Sequence, residues 1–201
     1  MQHETVLQAF DQGSDLALQI LRQGGVIGFP TDTVYGVGAA GYDARAVAQL
    51  FDVKERPRSQ AIPLLLADPR DLGAVTTALP PLALELARRY WPGGLTLVVP
   101  AQPQLPPELL GGGTTVAVRV PDHPALRQLI RDLGQPLAAT SGNLHGAANP
   151  ITAQQVLAQL GGRLPLILDG GATPGDLPST VVDVTGSVPR LLRQGVVTLE
   201  L

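Results

Sequence analysis

Segments with helical spacing and short apolar runs alternate along this chain, and Gly or Pro stands at most of the changes between them. Apolar residues three and four positions apart predict amphipathic helices, and apolar runs bounded by turn residues predict buried strands. The predicted helices cover residues 14–23, 43–55, 80–91, 123–134 and 152–162. The predicted strands cover residues 26–29, 62–67, 95–100, 114–121, 136–140 and 165–171, and the tail 179–201 alternates like closing strands. Interleaving of this kind predicts an α/β or mixed α+β fold.

Domain organisation follows from the same pattern. No internal repeat and no long linker interrupts it, so we expect residues 1–201 to form a single domain. Three polar residues stand at expected helix starts: Ser14, Asp43 and His123.

Composition excludes several classes of function. The chain has no cysteine, which rules out disulfides and thiolate zinc sites. Its three histidines, His3, His123 and His145, form no i, i+4 pair, so we expect no metal site. The net charge of −3 argues against a broad nucleic-acid or membrane surface. The N-terminus lacks the pattern of a signal peptide, and no apolar run reaches about 20 residues, so a cytoplasmic protein without a membrane span is expected.

The run GVGAAG at 36–41 matches the spacing of a dinucleotide-binding fingerprint. In that fingerprint the first glycine directly follows a strand and the motif opens a helix. Here PTDTVY separates the glycines from the preceding apolar run, so we interpret them as a flexible turn.

The preceding stretch PTDTVYG, residues 30–36, places two hydroxyls, a carboxylate and a phenol directly after a predicted buried strand. Such groups can bind a small polar ligand. They can equally form an ordinary turn in which Thr31 and Asp32 cap backbone groups. Residue chemistry alone leaves both interpretations open.

The basic cluster VKERPR, residues 53–58, contains Lys54, the single lysine of the chain. Cations in the last turn of a helix complement its dipole, and a solvated face is the usual outcome. The alternative is an anion clamp, with Lys54 as a point charge and Arg56 as a planar fork on phosphate. Chemistry alone favours the solvated face.

Two further segments carry candidate ligands. TSGNLHGAANP, residues 140–150, follows a predicted strand and lacks the G-x-S-x-G pattern of a hydrolase nucleophile. Arg193 lies among the closing strands, where a cation needs either an anion or an acidic partner such as Asp169 or Asp183.

Taken together, these stretches resemble the YrdC/TsaC family, the threonylcarbamoyl-AMP synthases. The matching pieces, in chain order, are GGVIGFPTDTVYGVG, VKERP, WPGGLTLVV, VAVRVPDHP, PLAATSGN, STVVDVTG and LLRQG. The resemblance implies a twisted open sheet with flanking helices around a large cavity, in a single YrdC-like domain of the short form.

The implied activity is a nucleotidyltransferase reaction. L-Threonine, bicarbonate or CO2, and ATP, which enters with Mg2+, would give threonylcarbamoyl-AMP and pyrophosphate. A tRNA threonylcarbamoyl-transferase complex would take the product for tRNA modification, and weak RNA binding is a further expectation.

The resemblance also assigns residues. The threonine-binding positions are Thr33, Arg119, Ala139 and Ser179. The ATP-binding positions are Lys54, Arg56, Gln60, Thr115, Ser141, Asn143, Asn149 and Arg193. Lys54, Arg56 and Arg193 are expected to be catalytic, because the displacement at the α-phosphorus needs neutralised charge and positioning more than a nucleophile from the protein.

Two positions depart from the family pattern. Gln60 stands where many members carry a basic residue, and Leu65 stands where longer members often have a histidine. Two alternatives therefore stay open: a YciO-like relative that binds a nucleotide or RNA without synthase activity, and carbamoyl-adenylate chemistry on another amine. An RNA-only role is disfavoured by the net charge of −3 and the aromatic content of 3%.

Overall fold

A computed structural model describes residues 4–175 and 177–199. The helices are α1 (Phe10–Arg22), α2 (Ala44–Lys54), α3 (Pro81–Tyr90), α4 (Pro124–Leu133) and α5 (Ala153–Leu160). The strands are β1 (Val6–Ala9), β2 (Ile27–Phe29), β3 (Gly36–Ala40), β4 (Leu64–Leu65), β5 (Leu95–Pro100), β6 (Thr115–Arg119), β7 (Leu137–Ser141), β8 (Leu166–Asp169), β9 (Thr180–Asp183) and β10 (Arg190–Arg193). Short 3-10 helices occupy Pro69–Ala74 and Pro107–Leu110.

All ten strands found in the described residues belong to one mixed sheet in the order β1-β8-β2-β3-β7-β4-β6-β5-β9-β10. Parallel and antiparallel pairs both occur: β1 and β2 run parallel to β8, whereas β3 runs antiparallel to β2 and β7. The strands β1 and β10 are the two edges, so the sheet is open. The predicted mixed α/β class with an open sheet is thus confirmed.

Two hydrophobic cores cover the two faces of the sheet. Alternation along β4 shows this directly, because Leu64 packs into one core and Leu65 into the other. The first core also receives the buried residues of α2, α3 and α5. The second core receives those of α1 and α4. Among the described residues, no helix combines the length and apolar character needed to cross a bilayer.

The flexible turn predicted at 36–41 is wrong, because residues 36–40 form the fully buried strand β3. Its glycines serve close packing between strands. A Cβ added at Gly38 would lie 2.8 Å from the carbonyl oxygen of Ala138 and 2.9 Å from the ring of Phe29. The glycine pattern therefore reflects the approach of β3 to β7 and to Phe29.

Helix starts were predicted with mixed success. Asp43 caps α2 through the amides of Arg45 and Ala46, and His123 caps α4 by accepting from the amide of Leu126. Ser14 is not a cap, because α1 begins at Phe10 and the Ser14 hydroxyl donates to the Phe10 carbonyl at 2.7 Å. Strand β1 directly precedes this helix and was not predicted.

Candidate active site

A cavity of about 310 Å³ opens where the ends of β2, β6, β7 and β9 converge. Two groups of segments form this cavity wall and support it from behind. The floor comprises residues 31–36 and 139–143, and the rim comprises residues 178–181 and 190–197; both include residues behind the lining. The sequence-predicted residues that line the cavity are Thr33, Arg56, Arg119, Ala139, Ser141, Asn149, Ser179 and Arg193. Segments that are distant in the sequence therefore meet in one place.

Four other predicted residues do not line this cavity: Lys54, Gln60, Thr115 and Asn143. Thr115 precedes Ala117 and Arg119 on the same face of β6, so it lies beyond the cavity along that strand. Gln60 lies in the turn after α2, where its amide donates to the Pro57 carbonyl. The family role assigned to each residue stays a prediction.

The first half of the floor is a network of hydroxyls around Arg119. The guanidinium is 6% exposed and donates to the carboxylate of Asp32 at 2.6 Å, to Thr33 Oγ1 at 3.0 Å and to the Gly93 carbonyl at 2.9 Å. Thr33 Oγ1 also lies 3.0 Å from Thr31 Oγ1. Pro30 ends β2, and the hydrogen bonds of this network then fix the chain that follows.

Tyr35 joins the floor to its surroundings. Its hydroxyl donates to the Gly171 carbonyl at 2.7 Å and accepts from the Gly170 amide at 3.2 Å. Burial, followed by smaller effects that include the nearby Asp169 carboxylate, raises the pKa of Tyr35 to about 12. Its backbone bonds to Gly142 and Pro150, which belong to the loop after β7. One buried residue thus holds both halves of the floor in register.

Lys54 lies directly behind the second half of the floor. Its side chain is 1% exposed, and its ammonium donates to the carbonyls of Ser141 and Asn143. Burial, and secondarily the charge of Arg56, lowers the pKa of Lys54 to about 7. The solvated face is therefore the wrong interpretation for Lys54, although it holds for Arg58, whose exposed side chain pairs with Asp52 at 2.9 Å.

Arg56 lines the cavity from the turn that follows α2. The helix ends because Glu55 adopts a left-handed conformation with φ of 54°. Arg56 donates from Nη2 to the Ala61 carbonyl at 3.0 Å, while its buried Nε has no hydrogen-bond partner. Burial lowers the pKa of this guanidinium. An unpaired N–H group beside a cavity favours an anionic ligand.

The rim contributes Arg193 from the edge strand β10. Its Nε and Nη2 donate to the Ser179 carbonyl at 3.1 and 2.8 Å, and Nη2 also reaches Ser179 Oγ at 3.1 Å. Neither acidic partner proposed from the sequence is bonded to it, and Asp183 instead pairs with Arg190 at 3.0 Å. Arg193 is therefore held by neutral oxygens, which leaves its charge available to an anion.

Three guanidinium groups line the cavity, and no acidic side chain is found among its described lining residues. This distribution suits an anionic ligand. Sequence reasoning missed two further rim contacts. Thr96 Oγ1 lies 2.8 Å from Ser179 Oγ, and the buried Thr180 hydroxyl bonds to Gly195 and Val197. Only the register of β5 and β9 could have located them.

The fold and the site together define a family. The family model described as "Telomere recombination", for Sua5, YciO and YrdC, matches residues 19–195. The chain belongs to the Sua5/YciO/YrdC family. This confirms the resemblance found in the sequence.

Curated relatives carry a synthase name. The chain is 42% identical over 185 residues to the threonylcarbamoyl-AMP synthase of Bacillus subtilis (strain 168), with 92% of this chain and 54% of the relative covered. It is also 42% identical over 172 residues to the Thiobacillus denitrificans protein of that name, with 85% of this chain and 90% of the relative covered. The chain thus spans about half the length of the first relative and most of the second.

Solved structures agree with this placement. Pyrococcus abyssi Sua5, in a crystal structure with L-threonine, gives a TM-score of 0.92 at 37% identity, with 95% of this chain and 58% of that chain covered. Escherichia coli YciO gives a TM-score of 0.83 at 28% identity, with 97% and 96% covered. The synthases and YciO therefore share this fold, and the names of the curated relatives favour the synthase.

Proposed function

We propose that this chain is a threonylcarbamoyl-AMP synthase, a nucleotidyltransferase that joins L-threonine, CO2 or bicarbonate, and the AMP part of ATP. The observation that carries the proposal is a single cavity lined by the hydroxyls of Thr33 and Ser179 and by three guanidinium groups, with no carboxylate among its described lining residues. The names of the curated relatives and the threonine complex of Pyrococcus abyssi Sua5 support it.

The amino acid would occupy the end formed by Thr33, Arg119 and Ser179. Three N–H groups of the Arg119 guanidinium already have acceptors, which leaves two for a carboxylate. Ala139 and Leu65 provide an apolar wall for a short side chain. Because Asp32 and Thr33 hold Arg119, the guanidinium would meet its ligand already oriented.

ATP would occupy the rest of the cavity, with its phosphates between Arg56 and Arg193, and Arg193 would adjoin the amino-acid pocket through its bonds to Ser179. Lys54 would act in two ways, by holding the carbonyls of Ser141 and Asn143 in place and by adding positive charge behind the floor. The other predicted contacts, at Ser141, Asn149 and Thr115, would follow the nucleotide outwards along β7 and β6. Gln60 lies outside the cavity lining, so this chain presents no cation to the phosphates from that position.

The chemistry needs no nucleophile from the protein. The threonine amine would attack the carbon of CO2, one C–O π bond would break, and an amine proton would leave to water. A carbamate oxygen would then attack the α-phosphorus, and pyrophosphate would leave. Mg2+ would enter on the phosphates, since the described residues contain no group of three or more His, Cys, Asp or Glu that could hold a metal ion. A tRNA threonylcarbamoyl-transferase complex would take the product.

The test incubates the purified protein with ATP, Mg2+, bicarbonate and single amino acids, with mass detection of the product. We expect a threonylcarbamoyl-AMP adduct and release of pyrophosphate only when all reactants are present. Nucleotide binding without product would favour the YciO-like alternative, and an adduct with another amine would favour a different substrate.

A variant pair sharpens this test. Arg56→Ala should raise the KM for ATP about tenfold or more, because hydrogen bonds to charged groups are strong. Arg88→Ala removes an exposed arginine on α3, far from the cavity lining, and should change nothing. Equal effects from both variants would contradict the phosphate role of Arg56.

A further inference from the structure

The hydrogen-bond directions in the floor give a role to Thr31, a residue to which the family resemblance assigns none. We propose that Thr31 is a positioning residue that makes the Thr33 hydroxyl a pure hydrogen-bond acceptor toward the cavity, so that the amino-acid substrate binds there through an N–H of its neutral amine. The proposal rests on the proposed function, since it concerns the amino-acid end of the same cavity.

The first step is the hydroxyl proton of Thr31. Its Oγ1 lies 2.7 Å from the carbonyl oxygen of Val34. A carbonyl oxygen can only accept, and a hydroxyl has only one proton, so Thr31 donates to Val34. That proton is therefore not available to Thr33.

The second step concerns the pair of hydroxyls. Thr31 Oγ1 and Thr33 Oγ1 lie 3.0 Å apart, and one of them must donate to the other. Because the Thr31 proton is already used, Thr33 is the donor. The Thr31 oxygen also accepts from the Thr33 amide at 3.1 Å, so its single proton and both its lone pairs have partners.

The third step concerns the hydrogen-bonding capacity that remains on the Thr33 hydroxyl. Its proton points to Thr31, and one lone pair accepts from Arg119 Nη1 at 3.0 Å. One lone pair remains, on a residue that lines the cavity and is 3% exposed. A ligand atom at this position must be a hydrogen-bond donor, which fits an amine N–H and disfavours a carboxylate.

The fourth step is the charge of that amine. Arg56, Arg119 and Arg193 line the cavity, without an acidic side chain among its described lining residues. The carboxylate of Asp32, which precedes Thr33 in the chain, already bonds to Arg119 at 2.6 Å. In the absence of ATP, these three positive charges outnumber the single carboxylate that L-threonine brings, so the ammonium form is disfavoured and the amine is bound neutral. A neutral amine that donates one N–H to Thr33 keeps its nitrogen lone pair free to attack CO2.

The main experiment measures L-threonine binding by titration calorimetry and steady-state constants for four proteins: the wild type, Thr31→Val, Thr33→Val and the double variant. Thr31→Val should weaken L-threonine binding about five- to tenfold, with the KM for ATP unchanged. In the Thr33→Val background it should add nothing, because Thr31 acts through Thr33.

Matched controls separate this role from a structural one. Thr31→Ser keeps the hydroxyl and should bind L-threonine like the wild type, and Thr31→Ala replaces Thr31→Val if the valine variant does not fold. Additive effects in the double variant, a rise in the KM for ATP equal to that for threonine, or a failure of Thr31→Ser to restore binding would each overturn the role of Thr31.

Two further measurements test the identity and charge of the ligand group. L-2-Aminobutanoate lacks the threonine hydroxyl, and its binding should show the same loss in Thr31→Val; if the loss disappears, Thr33 contacts the side-chain hydroxyl and the amine assignment fails. Calorimetry in buffers of different ionisation enthalpy should show release of about one proton per L-threonine bound, because the free amino acid carries an ammonium group. Binding without proton release would contradict a neutral amine.

Failure of the proposed function would look different. A wild type that binds L-threonine but forms no adduct would refute the synthase, while the binding experiments would still decide the role of Thr31. A wild type that does not bind L-threonine would refute both proposals.

Discussion

The floor and the rim hold their cations in opposite ways. Behind the floor, Lys54 is 1% exposed, and its ammonium is bonded to the backbone carbonyls of Ser141 at the end of β7 and of Asn143 in the following loop. On the rim, Arg193 extends from an edge strand in which Leu191 and Leu192 are 45% and 48% exposed. Buried and fully bonded groups resist local opening, whereas exposed edges open easily. The comparison suggests a preformed floor and a rim that adjusts to the ligand.

The largest expected effect comes from Lys54→Met. The carbonyls of Ser141 and Asn143 would lose a charged donor, and the part of the floor that they support would shift. Because a misplacement of about 1 Å in the site can lower a rate by about 100-fold, turnover at saturating ATP and L-threonine should fall by about that factor. Turnover and the thermal unfolding temperature are measured together.

Arg58→Met is the matched control, because Arg58 belongs to the same basic cluster but its side chain is 60% exposed. It should retain normal turnover. Near-normal turnover of Lys54→Met would show that the floor does not depend on this ammonium, and the contrast with the rim would then be lost.

The second prediction concerns the pH dependence of stability. Burial lowers the pKa of Lys54 to about 7 in the folded protein, whereas the pKa of an unfolded lysine is about 10.4. Between these values the unfolded chain holds the Lys54 proton and the folded protein has released it. The contribution of Lys54 to the free energy of unfolding should therefore rise with pH, by up to about 1.4 kcal/mol per pH unit, and should be flat below pH 7.

Urea unfolding of the wild type and of Lys54→Met from pH 6 to 9 measures this contribution as the difference between the two proteins. The same comparison with Arg193→Met should show no slope, because an arginine stays charged throughout this range. A difference that is flat above pH 7 would mean that Lys54 remains charged behind the floor.

The contrast between floor and rim could be predicted only in part from the sequence. In PTDTVYG, residue chemistry left a polar binding site and an ordinary turn both open, and at the end of α2 it favoured a solvated face over an anion clamp. Burial of Lys54 depends on the loop at 141–143 lying against α2, a contact between segments about 90 residues apart. No local pattern contains that information.

The two wrong predictions, a turn at 36–41 and a helix cap at Ser14, have a similar physical origin. Glycines favour turns when only neighbouring residues are considered, and the strand assignment of 36–40 depends on a partner strand that approaches within contact of Gly38. Ser14 is a good capping residue, but β1 leads directly into α1 and moves its start to Phe10. Thr96 and Thr180 lie within WPGGLTLVV and STVVDVTG but were given no role, because strand register alone turns them toward the rim.

Thr180→Val tests how the rim is held. The buried hydroxyl donates to the Val197 carbonyl at 2.7 Å and accepts from the amides of Gly195 and Val197 at 3.0 Å. Its loss should lower the free energy of unfolding by about 1–2 kcal/mol and raise the KM for ATP about threefold to tenfold, since Arg193 adjoins this segment.

Hydrogen exchange shows where the effect lies. The amides of Gly195 and Val197 should exchange faster in Thr180→Val, whereas the floor amides of Thr33 and Gly142 should not, and Thr180→Ser should behave like the wild type. Faster exchange in the floor as well would mean that the two parts open together.

The smallest expected effect belongs to Gly94→Ala. The added Cβ would lie 2.3 Å from Cγ2 of Val196, a rim side chain that is 45% exposed and can turn into solvent. We expect a loss of less than about 1 kcal/mol in stability and about a twofold change in the KM for ATP. Gly73→Ala, in which the added Cβ meets nothing within 4 Å, is the control.

The buried counterpart is Gly38→Ala beside the floor, where the backbone of Ala138 and the Phe29 ring block the added Cβ. If Gly94→Ala is as damaging as Gly38→Ala, the rim is as rigid as the floor and does not adjust to its ligand.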